Sequence, residues 1–146
     1  MSNTFEILAR GRSPFDGEWY EGDVSRHKNG SVSIRPIENN PTGTGYYVEA
    51  ETVTPYVQRT DKNGKKVFLG DILIRCGIDD GEEYADTFFV GYDDENGAFV
   101  IDGKRGQFLP NKETFLEECE IIGNCFENLT LFESIKDFYR KSEVAQ

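Results

Sequence analysis

Asn-Gly and Asp-Gly dipeptides punctuate this chain at Asp16-Gly17, Asn29-Gly30, Asn63-Gly64, Asn96-Gly97 and Asp102-Gly103. Such pairs tolerate positive φ, the backbone condition for a tight reversal between antiparallel strands. Between them run short segments rich in Val, Ile, Thr, Phe and Tyr whose apolar residues recur with period two, the pattern of half-buried strands. The chain is therefore expected to be mainly β, built from bent hairpins that form small barrel-like units. Strands are predicted over Phe5–Arg10, Glu18–His27, Ser31–Ile37, Tyr46–Glu49, Thr52–Gln58, Lys65–Cys76, Thr87–Tyr92, Ala98–Ile101 and Cys119–Phe126.

Helical signal is sparse. At the C-terminus Thr130-Leu131-Phe132-Glu133 reads as a capping box, and Leu131, Ile135 and Phe138 recur at helical spacing. A helix over 130–142 is expected to lay that stripe on a sheet, with Lys136, Arg140 and Lys141 toward its C-terminal end. A second short helix is predicted over Lys112–Glu118, capped by Asn111. Glu38–Gly45, with two Asn, a Pro and two Gly, is expected to be a long flexible connection. The stretch from Asp16 to Val24 resembles that from Asn63 to Ile72, each reading as turn, apolar pair, Gly-Asp and a new β-branched run. Gly22-Asp23 and Gly70-Asp71 are thus expected to be bends, and one domain with two β subdomains, about 1–60 and 61–128, is anticipated.

Length supports a single domain: at 146 residues the scaling of surface with mass lets about two thirds of the chain's surface be buried. A formal charge of −11 repels phosphate backbones, so direct nucleic-acid binding is disfavoured. No apolar run reaches membrane-spanning length and Met1–Glu6 carries no signal-peptide pattern, so no membrane association is anticipated. The odd thiol count (Cys76, Cys119, Cys125) points to reduced cysteines in a reducing compartment, each read as a small buried hydrophobe.

Chemistry-bearing groups are few. His27, the single histidine, precedes a turn without a partner nucleophile nearby in sequence. Cys119 and Cys125 would lie about 20 Å apart along a strand, too far to share one metal ion. Neither a P-loop nor a G-x-G-x-x-G is present. Asp61-Lys62-Asn63-Gly64 imitates the start of a calcium loop without its distal Glu and reads as a turn. No catalytic residue, metal or cofactor is assigned. What stands out is a window from Cys76 to Gly103 without Lys or Arg, holding Asp79, Asp80, Glu82, Glu83, Asp86, Asp93, Asp94, Glu95 and Asp102. Charges this dense must be solvated. The first eight of these carboxylates are the candidate face for a basic partner.

Several blocks then line up in order: Arg10-Gly11, the run from Gly17 to Val24 containing Trp19, Val48 to Tyr56, Asp61 to Ile72 and Cys119 to Asn128. Together they resemble the YopX family of phage and prophage proteins, and the resemblance extends over nearly the whole chain. Departures are Thr54-Pro55, where the family usually has a Gly-Gln-like pair, and the extended helix after Asn128. The resemblance implies a small, mostly β fold whose later part is SH3-type and barrel-like, encoded by temperate phages and working in the host cytoplasm. It carries no established enzymatic activity and no catalytic residues. The motif residues read as scaffold: Trp19 as a core anchor, Gly22-Asp23 and Gly70-Asp71 as bends, Asn63-Gly64 as a hairpin turn, Gly123-Asn124 as a bulge. The expected function is a non-enzymatic accessory module binding a host or phage protein. The alternative is a small-molecule or nucleotide binder, or a cryptic hydrolase, with a pocket near Trp19, Tyr20 and His27 and the cations Arg26 or Arg35. Self-association through exposed apolar edges is a further expectation.

Overall fold

Alternating apolar residues and left-handed glycines divide the described residues into eleven strands and one long helix. The computed structural model describes residues 5–103, 106–110 and 115–144, with side chains as far as residue 136. The strands are β1 (Ala9–Arg12), β2 (Trp19–Arg26), β3 (Val32–Pro36), β4 (Tyr46–Val48), β5 (Thr54–Thr60), β6 (Lys66–Phe68), β7 (Asp71–Asp79), β8 (Glu82–Asp93), β9 (Ala98–Gly103), β10 (Gly106–Phe108) and β11 (Glu120–Asn124). Single 3-10 turns occupy Ala50–Thr52 and Leu116–Glu118, and α1 spans Leu129–Val144. The protein is mainly β: one antiparallel sheet has the order β4-β3-β2-β1-β5-β6, the other β10-β9-β8-β7-β11. The chain divides into two compact units, Met1–Gln58 and Arg59–Gln146.

In the first unit Ala9, Val32, Ile34 and Val48 form the buried cluster, with Tyr20 and Val53 packed against it. Trp19 is the next residue along β2 and so lies on the other face. It is half-buried under two guanidiniums, Arg10 at 5.1 Å and Arg12 at 5.8 Å from its ring, so it is a cation–π platform and not the expected core anchor. Gly22 also departs from expectation. β2 runs straight through Gly22-Asp23, and a Cβ on Gly22 would fall on the Arg35 carbonyl, so glycine there serves close strand approach instead of a bend. Asp23 instead pairs across the ladder with Arg35 at 2.9 Å. The Glu38–Gly45 connection is organised by Asn40, whose amide bonds Pro36, the Thr44 carbonyl and the Thr44 N–H.

Two of the buried aspartates of the second unit, Asp61 and Asp71, organise its turns. Asp61, 3% exposed, accepts N–H groups from Asn63 and Lys65 at 2.9 Å and from Ile121, sixty residues away, at 3.1 Å. Burial pushes its carboxyl upward, but those three backbone donors and the Lys65 charge outweigh it and hold it below the usual value of 3.8. The Asn63-Gly64 turn, with Gly64 at φ 77°, is thereby clamped to β11. The predicted continuous strand Lys65–Cys76 breaks at Leu69-Gly70. Gly70 has φ 92°, donates to the Val90 carbonyl and accepts from the Cys125 N–H at 2.8 Å. Wholly buried Asp71 closes the bend by accepting the Phe68 N–H at 2.8 Å.

The sheet is covered on both faces. Ile135, with Leu131 and Phe132, packs on Ile72 and Phe89; burying an aliphatic residue like Ile135 stabilises by about 1.5–3 kcal/mol. On the other face Phe88, Phe108 and Phe115 stack pairwise at 5.0–5.8 Å. The helix begins at Leu129, earlier than the capping box implies: the Asn128 carbonyl accepts from Phe132, while its carboxamide reaches back to the Asn124 N–H over Gly123. Thr130 is therefore an exposed first-turn residue and not the cap. The bulge in β11 falls between Ile121 and Gly123. Phe138, Arg140 and Lys141 lie beyond the described side chains, and Asn111 and the first three residues of the predicted Lys112–Glu118 helix lie outside the described residues; in its remainder Leu116–Glu118 forms only a single 3-10 turn. β8 starts at Glu82, five residues before its predicted boundary, and Asp102-Gly103 continues β9 instead of turning. The first strand lies at Ala9–Arg12; before it the Leu8 carbonyl accepts from the Tyr56 N–H at 3.1 Å, and the Gln58 amide bonds both the Glu6 N–H and its carbonyl.

Two stability outcomes follow. Gly70→Val forces a β-branched residue into the left-handed region and puts its Cβ 2.8 Å from the Cys125 sulfur, so a loss of about 2–4 kcal/mol is expected in urea denaturation. Asp61→Asn replaces a three-acceptor carboxylate by an amide whose NH₂ must face a donor, and should cost about 2–3 kcal/mol at pH 7. The folded Asp61 carboxyl titrates below its ordinary value, so its contribution is complete above the unfolded value and fades as pH falls through the folded one. The gap between wild type and Asp61→Asn should accordingly narrow in urea midpoints measured from pH 7 down to pH 3.

Candidate functional site

The acid-only window does not form one face. It splits between the two ends of β8, which lie about 36 Å apart for a strand of twelve residues. At one end the β8–β9 turn uses Asp93 structurally: its carboxylate accepts the Asn96 amide at 2.6 Å and the Glu95 N–H at 3.1 Å. The Asn96 side chain is the chief cause of the lowered Asp93 carboxyl. Asp94 and Glu95 are exposed beside it. Asp102, counted in the same window, is 7% exposed, so it is a buried strand residue and not part of a solvated face.

At the other end β7 and β8 meet at Asp80-Gly81, with φ 51° and 80°, both positive as a two-residue hairpin turn requires. β11 pairs with β7 only as far as Ile74, and β9 pairs with β8 only from Phe88 onward. Among the described residues no third strand pairs with the five rungs from Arg75↔Asp86 to Asp79↔Glu82, which form a two-stranded ribbon about 16 Å long. One of its faces carries Asp79, Glu82, Tyr84 and Asp86, the other Cys76, Ile78, Glu83 and Ala85. The Tyr84 ring lies flat on Gly77, where any Cβ would strike its phenol. An open groove of about 630 Å³ follows the ribbon, lined by Arg75, Asp79, Glu82, Tyr84 and Asp86 among others. Arg75, the cation at its base, is committed elsewhere: its Nε meets Glu118 at 3.1 Å and its guanidinium lies over the Phe115 ring at 5.3 Å. Among the described residues no cation pairs with Asp79, Asp80, Glu82 or Glu83.

The residues of the alternative pocket are not brought together. Trp19 and Tyr20 point to opposite faces of β2, with Tyr20 stacked on Tyr46 at 4.3 Å. His27 lies beyond the far end of that strand, about 27 Å from Trp19, bonded to Ser33 at 3.0 Å. Arg35 is held by Asp23. Among the described residues no three His, Cys, Asp or Glu side chains gather as a metal site, and no helix is long and apolar enough to cross a membrane. The Asp80-Gly81 turn that builds the ribbon was visible in the sequence as one more Asp-Gly pair, masked by the acidic run around it.

The thiols differ from the uniform burial expected of them: Cys76 is exposed on the ribbon, Cys119 is buried and Cys125 half-buried. Burial pushes the Cys119 thiol up to about 11, partly offset by Arg75, which keeps it protonated and unreactive at neutral pH. With a chromogenic disulfide reagent at pH 8, one fast thiol per chain is expected, abolished by Cys76→Ser, while Cys119 reacts only after denaturation.

The family model described as YopX protein matches residues 14–133 of this chain. Comparison with curated proteins yields no match.

Proposed function

The chain belongs to the YopX family, and from that membership and its geometry we propose that it is a non-enzymatic accessory protein that binds a basic protein partner through the β7–β8 ribbon. The supporting observation is the ribbon's charge: Asp79, Asp80, Glu82 and Glu83 cluster at the tip where β7 turns into β8, and no described cation pairs with them. Repulsion among them costs folding free energy that a few lysines would relieve, whereas a basic partner would turn it into association energy and a faster encounter. The reading as non-enzymatic is supported by the dispersal of reactive groups: Cys119 is held protonated, and exposed His27 faces the Ser33 hydroxyl and the Tyr47 ring, with no carboxylate partner among the described residues to orient it. The phage setting and the host cytoplasm as the place of action come with the family resemblance. The acidic surface disfavours nucleic acid as the direct partner.

Changing Asp79, Asp80, Glu82 and Glu83 to Asn and Gln should leave the urea midpoint unchanged or raise it, because self-repulsion is removed. The same variant should lose partners that wild-type protein recovers from bacterial lysate, most clearly at low salt. Recovery of the same partners by both proteins at both salt concentrations would dispose of the acidic ribbon as the binding element.

A further inference from the structure

The ribbon offers backbone groups that no described strand pairs, as well as charge. Gly70 donates its N–H to the Val90 carbonyl at 2.9 Å, so Val90 turns its backbone groups toward β7. The register from Ile72↔Phe89 to Asp79↔Glu82 is unbroken, so strand alternation turns the N–H and carbonyl of Glu83 and Ala85 the other way. On that side β9 covers β8 only from Phe88 onward, and among the described residues no strand covers Glu82 to Asp86. A free edge of this kind is a template for another strand.

We infer that this outer edge of β8 receives an extended basic segment of the partner, which joins the sheet as an added strand. The inference rests on the acidic-docking reading and specifies its geometry. The Glu83 and Ala85 backbone supplies two donors and two acceptors, which fix direction and register. The side chains of Glu82 and Glu83 point to opposite faces, so an incoming strand meets a carboxylate whichever face its Lys or Arg residues occupy. A second copy of this chain is the wrong occupant: overlapped antiparallel along the same edge it would set Glu82 opposite Asp86 of the other copy, and like charges across a ladder repel. The carboxylates thus exclude self-pairing while favouring a basic strand. The β7 edge, whose one carboxylate in those rungs is Asp79 and which also carries the cation Arg75, lacks this complementarity.

The test uses the intact protein and two synthetic probes, the heptapeptide Lys-Val-Lys-Val-Lys-Val-Lys and the same heptapeptide with every internal amide N-methylated, which keeps the charge and removes the strand donors. The unmodified peptide should bind at least tenfold more tightly and should slow amide hydrogen exchange at Glu83 and Ala85. Ala85→Pro, which removes an outward N–H that the β7–β8 ladder does not use, should weaken that binding at least tenfold; the exchange readout on wild-type protein stands by itself should this variant fold poorly. Equal affinity for the two peptides, or binding without protection at Glu83 and Ala85, would overturn the added strand while leaving the charge reading intact. No binding of either peptide would also overturn it. Unchanged peptide affinity after the four-carboxylate neutralisation would instead count against the charge reading alone.

Discussion

A single buried carboxylate ties the second unit together. Asp61 gathers two N–H groups of its own turn and one from Ile121, so a local reversal and a strand sixty residues later are set by the same pair of oxygens. The Lys62 N–H bond to the Cys119 carbonyl, at 2.9 Å, continues that junction. With β11 placed, Cys125 reaches the Gly70 carbonyl and Asn128 closes over Gly123 to launch the helix that packs on Ile72 and Phe89. Charge-assisted bonds of this kind are worth more than neutral ones, and a buried carboxylate that lost its donors would leave a large desolvation penalty behind.

The ribbon is a consequence of how the neighbours of β7 and β8 end. β11 is short and bulged, and among the described residues β9 pairs with β8 no further than Phe88. Two strands of nine and twelve residues therefore outrun their sheet. A hairpin that no described strand flanks gains little from packing, and here it is shaped by the Asp80-Gly81 turn and by Tyr84 lying on Gly77. Its acidity has two physical effects at once: it guards an open edge against self-association and it selects the sign of any binding surface.

Local chemistry made much of the fold legible. The turns at Asp16-Gly17, Asn29-Gly30, Asn63-Gly64 and Asn96-Gly97 all place glycine at positive φ, because the residue types that permit that conformation are few. Period-two runs located β2, β3 and β4 closely, and helical periodicity located the start of α1 to within a residue. Where the reading failed, a contact distant in sequence had intervened. Trp19 looked like a core anchor because it is large and apolar, but core membership depends on which face of β2 it occupies relative to Arg10 and Arg12. Gly22-Asp23 and Gly70-Asp71 are the same dipeptide with different roles, one under the Arg35 carbonyl across the ladder and the other at a left-handed bend beside Cys125.

The acid-only window shows the same boundary between local and distant causes. Its composition determined that most of those carboxylates sit in water at hairpin ends, since unpaired charge at that density cannot be buried. Composition could not separate Asp93, spent on its own turn, from Asp79, Asp80, Glu82 and Glu83 on the ribbon, nor foresee that Asp102 is buried. The sequence by itself determined the β class, the reversals and the terminal helix, because φ preference and side-chain period are properties of neighbouring residues. Only the tertiary structure decided which carboxylates share a surface and which strand edge stays open, because both depend on where β9 and β11 stop pairing, and that is set by contacts between segments far apart in the chain.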